Sequence, residues 1–413
     1  MNWDKLLPAL AGTAGDVLGR CALVAGPSEA LGRAYRVRVP SGDMKYGSFW
    51  VRDAAMMAES GLIDNGEIWD WVELICLHGQ NGPAERPLAA GLRVPAWAVA
   101  DHINLDGGAV FYPGTMQSGD DQGDGRYGAL PPHDDGYYFI DMLHRCAATA
   151  ERLTTPIGGA SPYERAVKAL NSLPTDDATG LCRSDEAARA VDWGFCDTVV
   201  KTGLLLFPSL LRLRAARQMA ELALLCGDEA GRARCQALAE RLMRSVEPTF
   251  AAPDGWLWSA TGRCRQPDVW GTAFAVWVGA LEGRALDGAL QRLARAYAEG
   301  AVASAGYIRH LPLDRDHSDT AAWEGMDYPI NSYQNGGYWA TPTGWYAYAL
   351  SLVDRQLAEQ LLTELAEHTA AHAPGGAPWE WKDAANRAFS GRFYGASAAL
   401  PLAGAARIAA EGR

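Results

Sequence analysis

Residues 333–350 read YQNGGYWATPTGWYAYAL, a loop rich in glycine and aromatic side chains that leads directly into an apolar helix. A similar change from polar, aromatic loop to apolar helix recurs along the chain. The other segments are FWVRDAAMM from residue 49, PPHDDGYYFIDML from 131, VDWGFCDTVVKTGLLL from 191, PDVWGTAFAVWVGAL from 267 and SGRFYGASAALPLAG from 390. Successive starts lie roughly 55 to 80 residues apart, which leaves room for two helices and a loop.

Helical periodicity dominates the segments between these starts. Apolar residues recur every three or four positions, with charges between them, in residues 215–226, 231–246, 286–297 and 354–372. Strand-like runs are short, at residues 109–112, 255–259 and 306–311. A parallel-sheet protein would instead alternate apolar strands with helices. The pattern predicts an all-α fold, an (α/α)6 toroid of helical hairpins with a few short β-hairpins at the barrel mouth.

Composition narrows the class of protein. The 413 residues contain no Ser/Gly-rich or Pro-rich linker, which predicts a single domain over residues 1–413. A net charge of −12 argues against a nucleic-acid partner, which needs a basic face. No run reaches the roughly 18 apolar residues of a membrane span, so no membrane partner is expected. The start of the chain resembles an amphipathic helix rather than a signal peptide, and the eight cysteines form no CxxC pair. We therefore expect reduced thiols, no metal and a cytoplasmic location.

The loops at the helix starts have a composition suited to sugars. The chain contains 15 Trp and 15 Tyr, many of them in these loops. Aromatic rings cover the apolar faces of sugars, while carboxylates and amides bind hydroxyl groups. Core packing is the alternative role for each ring. We expect a small carbohydrate as partner, held by Trp50, Arg52, Asp53, His133, Asp192, Trp193, Trp270, Gln334, Asn335, Trp339, Trp379 and Arg392.

Cleavage of a glycosidic bond needs two carboxyl groups, one to protonate the leaving oxygen and one to activate water or attack the sugar. The candidates at the helix starts are Asp53, Asp134, Asp135, Asp192, Asp197, Asp268, Asp327 and Glu380. The adjacent pair Asp134 and Asp135 is favoured as the acid, because crowded carboxyls raise one pKa. A helix N-cap is the structural alternative for this pair. Glu380 lies between two tryptophans, where a dry setting suits a catalytic carboxyl.

Taken in order, these segments resemble motifs of the six-hairpin glycosidases, a clan that includes glucoamylases, trehalases and neutral/alkaline invertases. FWVRDAAMM resembles the Trp-x-Arg-Asp segment that binds the non-reducing sugar in that clan. ALPPHDDGYYFI is similar to the invertase segment Ala-Pro-Val-Asp-Ser-Gly-Leu-Trp-Trp, and SYQNGGYWATP to Ser-Tyr-His-Asn-Gly-Gly-x-Trp-Pro. APWEWKDAANRAFSGRF is similar to Trp-Pro-Glu-Tyr-Tyr-Asp followed by Gly-Arg-Phe. The motifs are nearest to those of the invertases.

The resemblance implies a glycoside hydrolase in which Asp134 is the general acid and Glu380 the second catalytic carboxylate. His133 and Asp135 stand where the invertase segment has Val and Ser, which makes Asp135 an alternative acid, and Gln334 stands in place of a His. We expect an exo-acting, inverting enzyme that needs no cofactor. Specificity for sucrose does not follow, because a fold hosts many substrates.

Other functions fit the same sequence. An unsaturated-uronide hydrolase or a sugar epimerase can use the same helical toroid; the epimerase would need convergent histidines, for which His133 and His310 are the candidates in the loops. A non-catalytic carbohydrate-binding protein would keep the aromatic loops without needing two opposed carboxyls. The sequence predicts no particular oligomeric state.

Overall fold

The computed structural model describes residues 3–313, 323–385, 387 and 389–412. Its α-helices are α1 (Trp3–Cys21), α2 (Val51–Ala58), α3 (Asn65–Leu74), α4 (Asp135–Cys146), α5 (Ala150–Thr154), α6 (Pro162–Ala169), α7 (Leu206–Leu225), α8 (Glu229–Phe250), α9 (Val269–Trp277), α10 (Gly283–Ala298), α11 (Thr343–Ser351), α12 (Arg355–His372) and α13 (Gly395–Ala410). The four segments with helical periodicity lie within or next to α7, α8, α10 and α12. The helical prediction for these segments is therefore confirmed.

Alternate helices contact one another in a closed cycle. Along it, α2 contacts α4, α4 contacts α7, α7 contacts α9, α9 contacts α11, α11 contacts α13, and α13 returns to α2. The remaining long helices pack against this cycle: α3 and α6 on α4, α8 on α7, α10 on α9 and α11, α12 on α11, and α1 on α13. We call the cycle the inner ring.

The inner ring is built from helices whose residues are mostly buried. Every residue of α2 and α11 is buried, and so is every residue of α9 except Trp277. Such a helix is stable only when other elements surround it, whereas an outer helix keeps a charged face toward water. Two glycines bring α11 and α13 into close contact, because a Cβ on Gly344 would overlap the Leu400 carbonyl oxygen. Gly404 likewise leaves no room for a side chain against Gly344.

Short strands fill the connections. They are β1 (Ala22–Ala25), β2 (Tyr35–Arg38), β3 (Phe49–Trp50), β4 (Arg86–Pro87), β5 (Arg93–Val94), β6 (His102–Ile103), β7 (Ala109–Val110), β8 (Arg183–Ser184), β9 (Val199–Val200), β10 (Gly203–Leu204), β11 (Ala303–Ser304), β12 (Tyr307–Arg309), β13 (Gly325–Met326), β14 (Tyr338–Trp339), β15 (Trp379–Lys382) and β16 (Phe389–Arg392). One antiparallel sheet has five strands in the order β11-β12-β14-β15-β16, and another has three in the order β3-β6-β7.

The sequence predicted only a few short β-hairpins, and the structure contains more strands than that. Most of these strands have two residues, which is too short for an alternating pattern to appear in the sequence. The five-stranded sheet matters for the site because β15 carries Glu380. Strand β14 holds β15 from one side, where Trp339 pairs with Trp381, and β16 holds it from the other, where Trp379 pairs with Arg392.

Two further expectations concern the whole chain. In the part of the chain that the structure describes, no helix combines the length and apolarity needed to cross a bilayer. All eight cysteines are free thiols, and all of them except Cys226 are buried.

Candidate active site

A cavity of about 330 Å³ opens at the N-terminal ends of inner-ring helices α2 and α13. Trp50 directly precedes α2 and Tyr394 directly precedes α13, and both line the cavity. The full lining is Pro40, Tyr46, Trp50, Arg52, Asp53, Gly194, Phe195, Asp197, Tyr333, Glu380 and Tyr394. Loops that are far apart in the sequence thus meet at one end of the ring, as the repeated loop–helix pattern predicted.

Three carboxyl groups line this cavity, on Asp53, Asp197 and Glu380. Burial raises the pKa of Asp53 to about 7, and the charge of Glu380 adds to this effect. Burial likewise raises the pKa of Asp197 to about 7, with a further contribution from Glu380. The Tyr394 hydroxyl donates a hydrogen bond of 2.8 Å to Oδ1 of Asp53. Two cavity carboxyls, those of Asp53 and Asp197, therefore keep a proton up to near neutral pH. The third, that of Glu380, accepts hydrogen bonds from a cation and a hydroxyl group.

Two consecutive residues of the loop between β2 and β3 bind the Glu380 carboxylate. The Lys45 ammonium lies 2.7 Å from Oε2 of Glu380, and the Tyr46 hydroxyl donates to Oε1 at 2.8 Å. The Glu380 side chain is 2% exposed, whereas that of Lys45 is 36% exposed. The predicted catalytic carboxyl is thus buried, fully partnered on both oxygens and open to the cavity.

Asp197 follows a 3₁₀ turn at Gly194–Cys196, which turns its carboxyl into the cavity. Gln334 donates a hydrogen bond of 2.7 Å from Nε2 to Oδ1 of Asp197. The backbone N–H of Thr198 donates to Oε1 of Gln334 at 2.9 Å, which fixes the orientation of the amide. Gln334, which the sequence predicted to bind sugar, therefore contacts the cavity residue Asp197. Asp197 itself was among the acidic candidates at the helix starts.

Arg52 forms the inner wall of the cavity and is held by three buried carboxyls. Its Nε lies 2.8 Å from Asp134, and its Nη2 lies 2.6 Å from Asp101 and 3.0 Å from Asp135. The backbone N–H of Gly194 also donates to Asp134, at 3.1 Å. A guanidinium bound in this way has a fixed position and a fixed charge.

This arrangement places Asp134 and Asp135 outside the cavity that the other candidate carboxyls line. Both are fully buried, and neither is among the lining residues. Asp134 precedes α4 without capping it, so the N-cap alternative is wrong for this residue. Burial, together with the charge of Asp134, raises the pKa of Asp135 well above its usual range, although Arg52 opposes the shift. The predicted pair thus binds Arg52, and of these three residues it is Arg52 that lines the cavity.

Asp197 also lines a second, smaller space of about 210 Å³, together with Tyr127, Arg189, Asp192 and Lys201. Asp192, predicted to bind sugar, forms a buried ion pair with Lys201. Arg189 donates to the Arg126 carbonyl, and burial lowers its pKa against the opposing effect of nearby carboxylates. Asp197 therefore stands between the main cavity and a space that contains two cations.

The remaining predicted sugar-binding residues do not line the main cavity. Trp193 stacks on Phe207 and donates to Tyr138, and Trp270 stacks on His310. Residues that are buried in the core are His133, Trp193, Trp270, Trp339 and Trp379. For these, the alternative of core packing is what the structure shows. Burial lowers the pKa of His133 to about 4, so it is neutral at ordinary pH.

Two predicted residues lie away from the cavity for other reasons. Asn335 donates to the Tyr328 carbonyl at 2.8 Å and shapes its own loop. Arg392 is exposed, and its backbone N–H donates to Asp43. Of the predicted binding residues, the cavity contains Trp50, Arg52 and Asp53, beside Glu380.

Sequence reasoning missed several aromatic lining residues, namely Tyr46, Phe195, Tyr333 and Tyr394. Tyr333 and Phe195 lie inside two of the loop segments that carried the pattern, so their composition was a usable signal. Tyr46 lies upstream of the first segment, and no local pattern distinguishes it.

No family model matches the chain, and no curated protein matches it in sequence. Solved structures do match it in fold. A GH63 mannosylglycerate hydrolase from Thermus thermophilus, in complex with glucose, aligns with a TM-score of 0.60 at 15% identity, covering 95% of this chain and 99% of that one. A wild-type glycosidase aligns with a TM-score of 0.61 at 15% identity over 99% of both chains. Glucoamylase from Saccharomycopsis fibuligera aligns with a TM-score of 0.59 at 13% identity, over 100% of this chain and 96% of that one. The chain therefore shares its fold, over nearly its whole length, with these carbohydrate-processing enzymes.

Proposed function

We propose that the protein is a glycoside hydrolase in which Asp197 is the general acid and Glu380 the general base. The observation that carries this assignment is the presence of two unlike carboxyls on one cavity. Burial raises the pKa of Asp197 to about 7, so that it keeps a proton to donate. Glu380 instead accepts hydrogen bonds from a cation, the Lys45 ammonium, and from the Tyr46 hydroxyl.

Asp197 takes the acid role in this proposal in place of Asp134 or Asp135. Asp197 lines the cavity in which the glycosidic oxygen would lie, whereas Asp134 and Asp135 are bound to Arg52 and do not line it. The pair instead holds the Arg52 guanidinium against the cavity, where it can bind sugar hydroxyls. Asp53, whose pKa burial also raises to about 7, is in this scheme a hydrogen-bond donor to the sugar.

The shape of the cavity favours an exo-acting enzyme. We infer that the cycle of inner helices closes an (α/α)6 barrel with the cavity at its mouth. We take Arg52, with its buried carboxyls, to close the inner end of this small cavity. A blind pocket accepts a chain end and not the middle of a chain.

An inverting mechanism follows from the roles proposed for the two carboxyls. Asp197 protonates the leaving oxygen while Glu380 takes a proton from a water molecule, which attacks the opposite face of the sugar. A carboxylate whose oxygens both accept hydrogen bonds is better suited to orienting water than to attacking carbon. This arrangement needs no cofactor.

The class of leaving group is suggested by a protein of the same fold. The Thermus enzyme of the same fold is a mannosylglycerate hydrolase, and another structure of that enzyme contains D-glycerate. A glycoside of a small organic acid is therefore the substrate class that we propose.

The alternative functions are less consistent with these positions. A uronide places a carboxylate in the sugar site, where it would meet Asp53, Asp197 and Glu380. An epimerase would need histidines at the sugar, but neither His133 nor His310 lines the cavity. A purely binding role predicts that no glycoside is turned over.

The experiment that tests the proposal is a screen of the purified protein against glucosides and mannosides of glycerate, alkyl glycosides and oligosaccharides. The anomer of the first product is identified by proton NMR. The variants Glu380→Gln and Asp197→Asn should each abolish turnover, whereas Asp383→Asn, a carboxyl at the end of β15 outside the cavity, should not. Turnover that survives Asp197→Asn would exclude the proposed acid, and a retained anomeric configuration would exclude inversion. Unaltered sugar binding without turnover in every variant would favour the binding role.

A further inference from the structure

Lys45 makes contacts that an ordinary surface lysine does not make. Its ammonium lies 2.7 Å from Oε2 of Glu380 and donates to the Ser390 hydroxyl at 2.5 Å. Glu380 belongs to β15 and Ser390 to the adjacent strand β16, so the ammonium bridges the two strands of this hairpin. Lys45 does not line the cavity, although the Glu380 carboxylate that it contacts does.

The loop that carries Lys45 is tied to the same hairpin by its backbone. Gly42 donates to the carbonyl of Phe393 at 3.1 Å, and the backbone N–H of Arg392 donates to the Asp43 carboxylate at 3.1 Å. Ser41 forms an isolated bridge with Tyr394. Because these contacts hold the loop next to Lys45, the ammonium has a defined place beside Glu380. Its side-chain exposure of 36% does not imply that it moves freely.

The electrostatic setting of Glu380 makes such a cation important. Two other cavity carboxyls, Asp53 and Asp197, are close enough for their pKa to be raised in part by Glu380, after the larger effect of burial. The cation that lines the cavity, Arg52, is already bound by Asp101, Asp134 and Asp135. In the described part of the chain, the charged and titratable groups that face Glu380 are Lys45, Tyr46, Asp53, Asp197, Tyr333 and Tyr394. Within this set Lys45 alone carries a positive charge.

We propose that Lys45 is a positioning residue for the general base. Its ammonium places a positive charge against the buried Glu380 carboxylate, which has other carboxyls as neighbours, and its hydrogen bond to Oε2 holds that carboxylate in place at the cavity. This inference rests on the proposed role of Glu380. Lys45 itself gives up no proton in the reaction and touches neither the sugar nor the water.

Glycosyl fluorides provide a test that is separate from the general acid, because fluoride leaves with little protonation. The variants Lys45→Met and Lys45→Arg are compared with the wild type on both anomers of glucosyl and mannosyl fluoride. Lys45→Met should lower kcat by about 10- to 100-fold, less than the roughly 10²- to 10⁴-fold effect of an acid–base group itself because Lys45 acts through Glu380, and should leave KM nearly unchanged. The acid limb of its pH profile should move up by about one pH unit. Lys45→Arg, which keeps the charge, should restore most of kcat.

A matched control removes a lysine far from the site. Lys168 is exposed on α6, and Lys168→Met should leave kcat, KM and the pH profile unchanged. Thermal unfolding of each variant shows whether a loss of kcat reflects loss of fold. A Lys45→Met enzyme with wild-type kcat and an unmoved acid limb would overturn the inference, and so would a Lys45→Arg enzyme as impaired as Lys45→Met.

A second measurement needs no substrate. In protein labelled with ¹³C at the glutamate carboxyl, the Glu380 signal is the one missing from Glu380→Gln. Its titration midpoint should lie about one pH unit higher in Lys45→Met than in the wild type. An unchanged midpoint overturns the inference about Lys45 even if the wild type hydrolyses no fluoride, in which case the proposed function fails separately. A higher midpoint together with an active Glu380→Gln variant would retain the electrostatic role and reject Glu380 as the base.

Discussion

Gln334 donates a hydrogen bond of 2.7 Å to Asp197, and this bond opposes the burial that raises the pKa of that carboxyl to about 7. A residue 137 positions away in the sequence therefore influences the pKa of Asp197. The amide stabilises the ionised form of Asp197, so its removal should raise the pKa further. In Gln334→Ala we expect the alkaline limb of kcat/KM to move to higher pH, together with a lower maximum, measured as initial rates over the pH range.

The control for this prediction lies in the same loop. Asn335→Ala removes an amide that binds the Tyr328 carbonyl and does not reach Asp197. Its alkaline limb should stay where the wild type has it. A limb that moves to lower pH in Gln334→Ala would mean that Asp197 does not set it.

Substrates whose leaving group needs little protonation should show whether Asp197, or the pair Asp134 and Asp135 bound to Arg52, is the general acid. Asp197→Asn should slow hydrolysis of an alkyl glycoside by about 10²- to 10⁴-fold, because the leaving oxygen loses its proton donor. With a glycosyl fluoride most of that loss should disappear. In Asp134→Asn the two substrates should lose rate by similar factors, since that residue acts through Arg52. Selective rescue by fluoride in Asp134→Asn instead of Asp197→Asn would restore Asp134 as the acid.

The two carboxyls behind Arg52 should differ in their effect on stability. Asp134 accepts hydrogen bonds from Arg52 and from the Gly194 backbone, and replacing it by Asn should lower the free energy of unfolding by about 2 kcal/mol. Burial raises the pKa of Asp135 well above its usual range and so favours its neutral form, which Asn resembles; Asp135→Asn should therefore change stability less than Asp134→Asn. Urea titration of both variants measures the difference, and equal losses would contradict it.

Gly194 should not tolerate a side chain. An added Cβ would overlap the Arg52 guanidinium, and the three carboxyls that hold this group leave it no room to move. Gly194→Ala should cost about 1–3 kcal/mol of stability and displace Arg52 from the sugar site. Chemical denaturation and KM measure the two effects. Gly82→Ala, where φ is not positive and nothing lies within 4 Å of an added Cβ, is the matched control.

The cavity carboxyls should also make folding stability depend on pH. The folded pKa of both Asp53 and Asp197 is about 7, above the unfolded value of about 3.9. Between these values the unfolded chain releases protons that the folded chain keeps, so stability is lost as pH rises from about 4 to about 7. Urea titrations at several pH values should show this decline in the wild type and a weaker decline in Asp53→Asn. A decline of equal size in the variant would exclude Asp53 as a source.

Much of the site could be read from the chain because the functional groups lie in repeated, recognisable loops. Trp50, Arg52 and Asp53 directly precede or begin an apolar helix, and Glu380 stands in a short aromatic segment. Which carboxyl acts as the general acid was harder to predict from the sequence. Asp134 and Asp197 both lie in such loops, and which of them enters the cavity depends on a 3₁₀ turn and on Arg52, which holds Asp134 away. Neither feature leaves a periodic signal in the sequence.

The helical architecture, and the loops that begin each inner helix, were set by the amino-acid sequence, because apolar residues at helical spacing are buried when a helix packs its apolar face inward. Which carboxyls face one another depends instead on tertiary packing. Contacts between segments distant in the chain raise the pKa of Asp197 and bury Asp134 and Asp135. Such contacts also bring Lys45 and Tyr46 into hydrogen bonds with Glu380. Burial and charge act through space, and the order of residues alone does not specify those distances.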